Sequence, residues 1–356
     1  MPEKKRILVA PLNWGLGHAT RCIPIISALE AHGFLPIIAS DGQALELLRK
    51  EFPQLETVEL PSYQIEYAKK GRNFKLKMLW DSPKMIKAAK REKKFIKKLV
   101  SEQGILGIIS DNRLGVFHKK IPTVFITHQL NVLTGNTTWL TSKVHQAIIK
   151  KFTECWIPDV EGSQNLSGKL GHFKKEMFPV KYIGPLSRLQ KKELPVTYDL
   201  MVVLSGPEPQ RTMLEEKLLE QLEGYKGKIL FVKGIIETAQ KISKRNDITI
   251  YNYMSSRELE TAFNTSDMVL SRSGYTTIMD LAALGKKAFF IPTPGQYEQE
   301  YLARRLKKHG VVASCKQEKF TIKKLEKAGA YKGLATMSVS QDFGSLFSLF
   351  QSKGEL

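Results

Sequence analysis

Short apolar runs recur along this chain, each followed by a glycine-bearing turn and then by a stretch with helical spacing. Arg6-Ile7-Leu8-Val9-Ala10 opens the series. The loop Asn13-Trp14-Gly15-Leu16-Gly17-His18 follows, and Ala19 to Ala31 reads as a helix closed by Gly33. Phe34 to Ala39 predicts a second strand, and Asp41-Gly42 turns into a helix over Gln43 to Lys50. Ile105–Ser110 and Thr123–Thr127 are further strands, and Tyr182-Ile183-Gly184-Pro185 ends this half. Residues 187–199 are polar and aperiodic, as a linker is. The pattern restarts with strand Leu200–Leu204, turn Ser205-Gly206-Pro207 and helix Met213–Leu222. Strands at Lys228–Val232, Ile248–Tyr251, Met268–Leu270 and Ala288–Ile291 follow, with a helix over Tyr275–Leu284. Wholly apolar strands alternating with helices predict parallel sheets covered on both faces. The expected fold is α/β, with two doubly wound Rossmann-like domains at 1–186 and 200–356, the last helix packing back on the first domain. Ligands of such sheets bind at the carboxyl ends of the strands, so the expected site is a central cleft between the halves.

Composition narrows the classes. At 356 residues, 42% hydrophobic and 25% charged, the chain suits two globular domains and excludes disorder. Its apolar runs are far shorter than the ~20 residues of a spanning helix. Cys22, Cys155 and Cys315 are far apart with no CxxC, which argues against a disulfide framework or cysteine zinc site and for a reducing compartment. The basic start, Lys4-Lys5-Arg6, leads into an apolar stretch broken at Pro11 and Asn13, which is not a signal-peptide pattern. Charge is the unusual property. Lys and Arg number 55 against 35 Asp and Glu, a net +20. From Lys69 to Lys98 there are 13 basic residues against Asp81 and Glu92, so +11 lies in one segment. An anionic partner follows: nucleic acid, an anionic membrane surface or a phosphorylated ligand.

Four segments carry candidate chemistry. In the Asn13–His18 loop, Gly15 and Gly17 let backbone approach a ligand where a helix begins, and His18 at that mouth is a candidate base. The third glycine of a dinucleotide fingerprint is absent, Thr20 taking its place. Ser271-Arg272-Ser273-Gly274-Tyr275-Thr276 opens a helix that carries Asp280 two turns on, a phosphate cradle with a hydroxyl-binding carboxylate. Pro292-Thr293-Pro294-Gly295-Gln296-Tyr297-Glu298-Gln299-Glu300 sets amides and acids at a helix start, suited to a sugar or ribose. The turn at Ser205-Gly206, with Arg211 nearby, could hold a diphosphate.

Together these segments resemble the nucleotide-sugar glycosyltransferases of the GT-B fold, above all the MurG-like group, with the longer strings Trp14–Arg21 and Pro292–Glu300 similar to a less characterised bacterial branch. Gly15-Leu16-Gly17-His18 resembles that family's N-terminal loop, Ile183-Gly184-Pro185-Leu186 the end of its first domain and Ser205-Gly206 the turn opening its second. Ser273-Gly274 with Asp280 occupies the place of its donor-binding serine-glycine and ribose-binding glutamate, one methylene shorter. Gln299-Glu300 sits where it has a paired glutamine, and Thr127-His128-Gln129-Leu130-Asn131 resembles an acceptor-side segment. The resemblance implies an acceptor-side first domain and a second domain binding a UDP-GlcNAc-type donor through Ser205, Gly206, Arg211, Ser273, Gly274, Tyr275, Thr276, Asp280, Gln296, Glu298 and Gln299. It implies an inverting transferase with no cofactor, the nucleotide sugar being a substrate.

No Asp-x-Asp pair occurs, so transfer without a metal is expected. The base is His18, with Asp111 and His128 as alternatives. Asp81-Ser82-Pro83 should start a helix with apolar stripe Met85, Ala88, Ala89, Ile96 and Leu99. Its Lys84 and Lys87, with Lys75, Lys77 and Trp80 just ahead, read as a patch for an anionic membrane surface. A lipid-linked or glycolipid acceptor, met by a cytoplasmic enzyme on the inner face of the cell membrane, would explain such a patch. The same fold also serves nucleotide-sugar 2-epimerases, which need no acceptor. A nucleic-acid-binding protein is suggested by charge alone, and the two-domain glycine-loop organisation speaks against it.

Overall fold

The computed structural model describes residues 4–63, 74–133, 138–173, 177–235, 237–334 and 342–351, without the side chains of 74–83. The chain forms two compact units. The first runs to Ser187 and takes in the C-terminal helix, and the second begins at Arg188.

In the first unit, β1 (Arg6–Pro11), α1 (Gly17–Ala31), β2 (Leu35–Ser40), α2 (Gly42–Glu51) and β3 (Thr57–Glu59) alternate. They are followed by α3 (Phe74–Gln103), β4 (Ile105–Asp111), β5 (Thr123–Ile126), α4 (Thr138–Ile149), β6 (Glu154–Ile157) and β7 (Val180–Tyr182). The strands make one parallel sheet in the order β3-β2-β1-β4-β5-β6-β7. Ile7 to Ala10 are fully buried, as a strand covered on both faces requires. On one face Leu8, Ala10, Ile37 and Ile108 meet Ile96 and Leu99 of α3.

The second unit holds β8 (Tyr198–Val203), α5 (Gln210–Gln221), β9 (Ile229–Val232), β10 (Ile242–Arg245), β11 (Ile248–Tyr251) and α6 (Ser256–Asn264). It continues with β12 (Ser266–Ser271), α7 (Tyr275–Leu284), β13 (Lys287–Phe290), α8 (Tyr297–Lys308), β14 (Ala313–Ser314) and α9 (Ile322–Glu326). Its sheet order is β10-β11-β9-β8-β12-β13-β14, parallel except for the β10/β11 hairpin. A capping box of Ser255 and Glu258 starts α6, and Gly285 at φ 67° ends α7. The polar stretch after Arg188 is tied to this unit. Gln190 N–H donates to Glu260 Oε2 at 2.8 Å and Lys192 N–H to Asn264 Oδ1 at 2.9 Å.

The last helix, α10 (Phe343–Gln351), lies on the first unit. Phe347 meets Phe34 edge-on at 5.8 Å, and Phe350 lies 6.4 Å from the Trp156 ring. Gly107 in β4 makes room for it, since a Cβ there would fall 2.4 Å from the Phe350 ring.

The basic helix departs from expectation at its start. It runs from Phe74 rather than from Asp81, so Pro83 is interior. One proline removes one main-chain bond at a cost of ~3 kcal/mol, and good helix formers on both sides carry the helix through. Of the expected stripe, Ala88, Ile96 and Leu99 are buried. Between them lies Glu92, fully buried, which apolar periodicity alone does not reveal. Its Oε1 accepts from Arg113 Nε at 2.6 Å, its Oε2 from the Tyr63 hydroxyl and from Gly115 N–H at 3.2 Å. Arg113, also fully buried, reaches Asp41 Oδ1 at 2.7 Å and the Pro61 carbonyl at 2.9 Å. Burial pushes the Glu92 carboxyl up despite Arg113, so the pair depends on its complete hydrogen bonding. This network joins α3 to the loop after β4.

Candidate active site

Each sheet has a switch point, where neighbouring strands send their connections in opposite directions and a crevice opens at their carboxyl ends. In the first unit it lies between β1 and β4, in the second between β8 and β12. The candidate residues gather at these two places.

In the first unit, His18 is the second residue of α1, so Arg21 and Cys22 share its helix face. Asp111 is the last residue of β4 and is fully buried. Arg21 grips it with both ends of its fork: Nε donates to Oδ2 at 2.5 Å and Nη2 to Oδ1. His18 Nδ1 lies 2.9 Å from Asp111 Oδ1, and Arg21 Nη1 lies 3.3 Å from His128 Nδ1. The three residues read from sequence as alternative bases are therefore members of one network, and Arg21 is its centre. Arg21 is not legible in the sequence as a site residue, because a helical arginine ordinarily faces solvent. The available signal was its spacing of three from His18.

The donor inventory sets two opposed demands on His18. A carboxylate only accepts and a guanidinium only donates: Asp111 Oδ1 at 2.9 Å calls for a proton on His18 Nδ1, and Arg21 Nη2 at 2.8 Å for a lone pair on the same atom. Nε2 makes no hydrogen bond among the described residues. Burial alone would raise the Asp111 carboxyl, but Arg21 and then His18 outweigh it and hold it at about 2. Burial lowers His18 below the ordinary 6.5; Asp111 opposes this, while Arg21 adds to it. The result at neutral pH is a neutral imidazole held by a charged carboxylate, the arrangement of a general base. Asn13 serves the loop itself: its Oδ1 accepts from Ala44 N–H at 3.3 Å and its Nδ2 donates to Asp41 Oδ2 at 3.3 Å. Gly15 takes φ 74° to turn the chain, and Gly17 is the first residue of α1.

In the second unit, three loops meet at the switch. Ser205 and Gly206, both exposed, follow β8, and a Cβ on Gly206 would lie 3.7 Å from Thr293 Oγ1. Ser273 and Gly274 follow β12. Ser273 is buried and donates to the Gln299 carbonyl at 2.9 Å, and Gln299 Oε1 accepts from Thr293 N–H at 2.8 Å. Gln299 Nε2 makes no hydrogen bond among the described residues. Gly274 is the N-cap of α7, which has no side-chain cap and no acidic residue in its first turn, and Tyr275 and Thr276 begin it. A helix start of this kind attracts anions. Asp280 is half-buried further along α7; Gln296 is the N-cap of α8, and Glu298 lies in its first turn.

Arg211 is not placed as a diphosphate clamp. Its guanidinium is engaged by Glu208 and Glu215, each at 2.5 Å, and by Thr212 Oγ1 at 2.7 Å. The cation beneath these loops is Arg272, which sequence reading passed over. It is 1% exposed and is bound by the carbonyls of Ile291 and Pro292 at 3.2 Å and of Gln210 at 2.7 Å. No salt bridge engages it among the described residues, and its Nε has no partner. Burial lowers it to about 10, so it stays charged at neutral pH.

Among the described residues no group of three or more His, Cys, Asp and Glu is placed to hold a metal ion, and no helix is long and apolar enough to cross a membrane. Lys84 and Lys87 are exposed, whereas the side chains of Lys75, Lys77 and Trp80 lie outside the described residues.

Residues 210–332 match the glycosyltransferase family 28 C-terminal domain, and the whole architecture is that of the GT-B glycosyltransferases. The protein is a glycosyltransferase, similar to the MurG-like group. It is 22% identical over 334 residues to the UDP-N-acetylglucosamine–N-acetylmuramyl-(pentapeptide) pyrophosphoryl-undecaprenol N-acetylglucosamine transferase of Haemophilus ducreyi, covering 90% of this chain and 88% of that protein. The crystal structure of Acinetobacter baumannii MurG superposes with a TM-score of 0.55 at 14% identity, covering 93% of each chain. The structure of LpCGTa in complex with UDP gives a TM-score of 0.60 at 12% identity, covering 98% of this chain and 93% of the other. These matches are to transferases, and the epimerase alternative draws no support from them.

If His18 is the base, its low proton affinity sets the pH profile. Activity should hold through neutral pH and fall only below pH 6.5, as the imidazole becomes charged. His18→Ala and Asp111→Asn should each lower kcat by ~10²–10⁴ with donor affinity little changed. Steady-state kinetics across pH, with calorimetry of donor binding, checks both. A near-normal kcat in His18→Ala would pass the role to another member of the network.

Proposed function

We propose that the protein is an inverting, metal-independent glycosyltransferase that moves a sugar from a UDP-GlcNAc-type donor to a lipid-linked or glycolipid acceptor at the inner face of the cell membrane. The observation that carries this reading is the His18–Asp111 pair at the carboxyl end of the first sheet, in a chain whose second unit matches family 28. His18 Nε2 takes the proton of the acceptor hydroxyl as that oxygen attacks the anomeric carbon. The bond to the diphosphate breaks and its electrons leave with the nucleotide. Asp111 holds the ring and stabilises the imidazolium that forms.

The second unit holds the donor. The diphosphate meets the backbone amides at the start of α7 and the turn at Ser205-Gly206, with the Arg272 charge beneath. Asp280 and Gln299 take hydroxyl groups of the ribose and the sugar. Metal independence rests on the absence of Asp-x-Asp, and no cofactor takes part. The lipid-linked acceptor draws on the relative's pyrophosphoryl-undecaprenol substrate and on the basic segment.

A transfer assay with UDP-GlcNAc and a polyprenyl-diphosphate sugar acceptor, run in excess EDTA, should release UDP and extend the acceptor. Asp280→Ala should raise the donor KM about tenfold, as the loss of a charged hydrogen bond does. Turnover that needs added magnesium or manganese would falsify metal independence. A second sugar isomer formed without acceptor would replace the transferase reading with epimerisation.

The membrane claim has its own test. Each lysine near an anionic surface contributes ~1 kcal/mol, and the attraction fades within a Debye length of ~8 Å at physiological salt. Co-sedimentation with phosphatidylglycerol vesicles should therefore exceed that with neutral ones and weaken as salt rises. Replacing Lys75, Lys77, Lys84 and Lys87 by Gln should reduce it while UDP binding stays intact. Equal sedimentation of both forms would make the lysine face a solubilising coat.

A further inference from the structure

A second concentration of positive charge lies beside α8. A cleft of about 530 Å³ opens between α8, β14 and the segment that follows it. Six cations line it: Arg304 and Lys307 from α8, then Lys316, Lys319, Lys324 and Lys327. Glu300 is the single carboxylate in the lining, and its Oε1 is engaged by Gly295 N–H at 3.1 Å. None of the six cations has a salt-bridge partner among the described residues, whereas Arg113 and Arg211 each have two. The floor is apolar, with Phe289, Ala303 and Ala313, and Tyr331 lies at the side.

This cleft is built rather than a loose fringe of lysines. Glu300, Ala303, Arg304 and Lys307 recur at helical spacing and so share one face of α8. Lys307 Nζ donates to the Ser314 carbonyl at 2.9 Å, and Lys324 Nζ to the Lys319 carbonyl. Those bonds hold two ammonium groups at the rim. Like charges converging on one concavity repel each other, and a cleft lined by one sign focuses its field inward. An anion relieves that repulsion, and its size is bounded, since a volume of this order suits a small molecule. Lysine ammonium groups and an arginine fork are the donors that bind phosphates.

We propose that this cleft is a binding site for a small soluble polyanion carrying two or more phosphate groups, separate from the donor loops. It shares none of Ser205, Gly206, Ser273, Gly274, Asp280 or Gln299. Glu300 connects the two regions: it faces the cleft and, through Gly295, holds the loop that carries Thr293 and leads to Gln299.

Cys315 reports occupancy. It lines the cleft and is half-buried, while Cys22 and Cys155 are buried, so labelling of the native protein by a small thiol reagent reads this site. Inorganic tripolyphosphate, added at constant ionic strength, should slow Cys315 labelling about tenfold at saturation, since thiol reactivity follows access. Lys316→Gln/Lys324→Gln should raise the concentration needed for half-protection about tenfold. UDP binding by calorimetry in that variant should match the unaltered protein, which shows that it is folded. Three results would overturn the proposal: labelling unaffected by tripolyphosphate, protection that persists unchanged in the double variant, or protection given only by phosphatidylglycerol vesicles.

Discussion

A carboxylate removed from water must be surrounded by donors, and Asp111 is fully buried at the end of β4. The penalty of several kcal/mol per buried ion is offset only when the pairing geometry is complete. Arg21 completes it with a two-pronged grip from α1, and that grip determines much else. It fixes α1 against β4, points the His18 ring at the same oxygen and brings Arg21 within reach of His128. The next residue, Asn112, takes φ 58° and redirects the chain. Arg113 then enters a different network, with Glu92, Asp41 and Tyr63. A tripeptide thus places one negative and one positive charge in two separate buried networks, which together join α1, α3 and the start of α2 to the carboxyl end of the sheet.

The second unit uses the same topological position for the opposite electrostatics. At its switch point the buried ion is a cation, Arg272, with carbonyl partners and no carboxylate. Carbonyl dipoles orient the guanidinium without cancelling its charge. A helix start free of acidic residues lies directly after it in sequence. Both features favour an anion, and a departing nucleotide diphosphate is one. In the proposed reaction, where a proton is taken at one end and negative charge develops at the other, the first unit would supply the neutral base and the second the positive field.

The sequence made much of this visible because buried parallel strands are wholly apolar. Arg6–Ala10, Ile105–Ser110, Leu200–Leu204 and Ala288–Ile291 each announce themselves and fix the positions of the turns after them. Edge strands do not. Every residue of β10, Ile-Ser-Lys-Arg, is exposed, so no apolar run marks it, and β14 has only two residues. Buried ions were the larger gap. Periodicity reads Arg21, Glu92, Arg113 and Arg272 as polar and therefore as surface, since only their partners, distant in sequence, make burial tolerable. Arg211 shows the converse. A basic residue near a phosphate-like turn looks available, but carboxylates three residues before it, ahead of α5, and four after it, within α5, claim it first. The start of α3 is ambiguous in the sequence because Asp-Ser-Pro is equally a helix entrance and an interruption that a long helix outlasts.

The central claim is that Asp111, rather than Arg21, decides the tautomer of His18, a neutral imidazole with its proton on Nδ1 and its lone pair on Nε2. Nitrogen-15 NMR of the histidine side chains in the full-length protein at neutral pH reads the tautomer directly. The account predicts a protonated Nδ1 and an unprotonated Nε2 for His18, with that preference lost when Asp111 is replaced by Asn. A His18 ring with its proton on Nε2, or one that is doubly protonated at neutral pH, would contradict it.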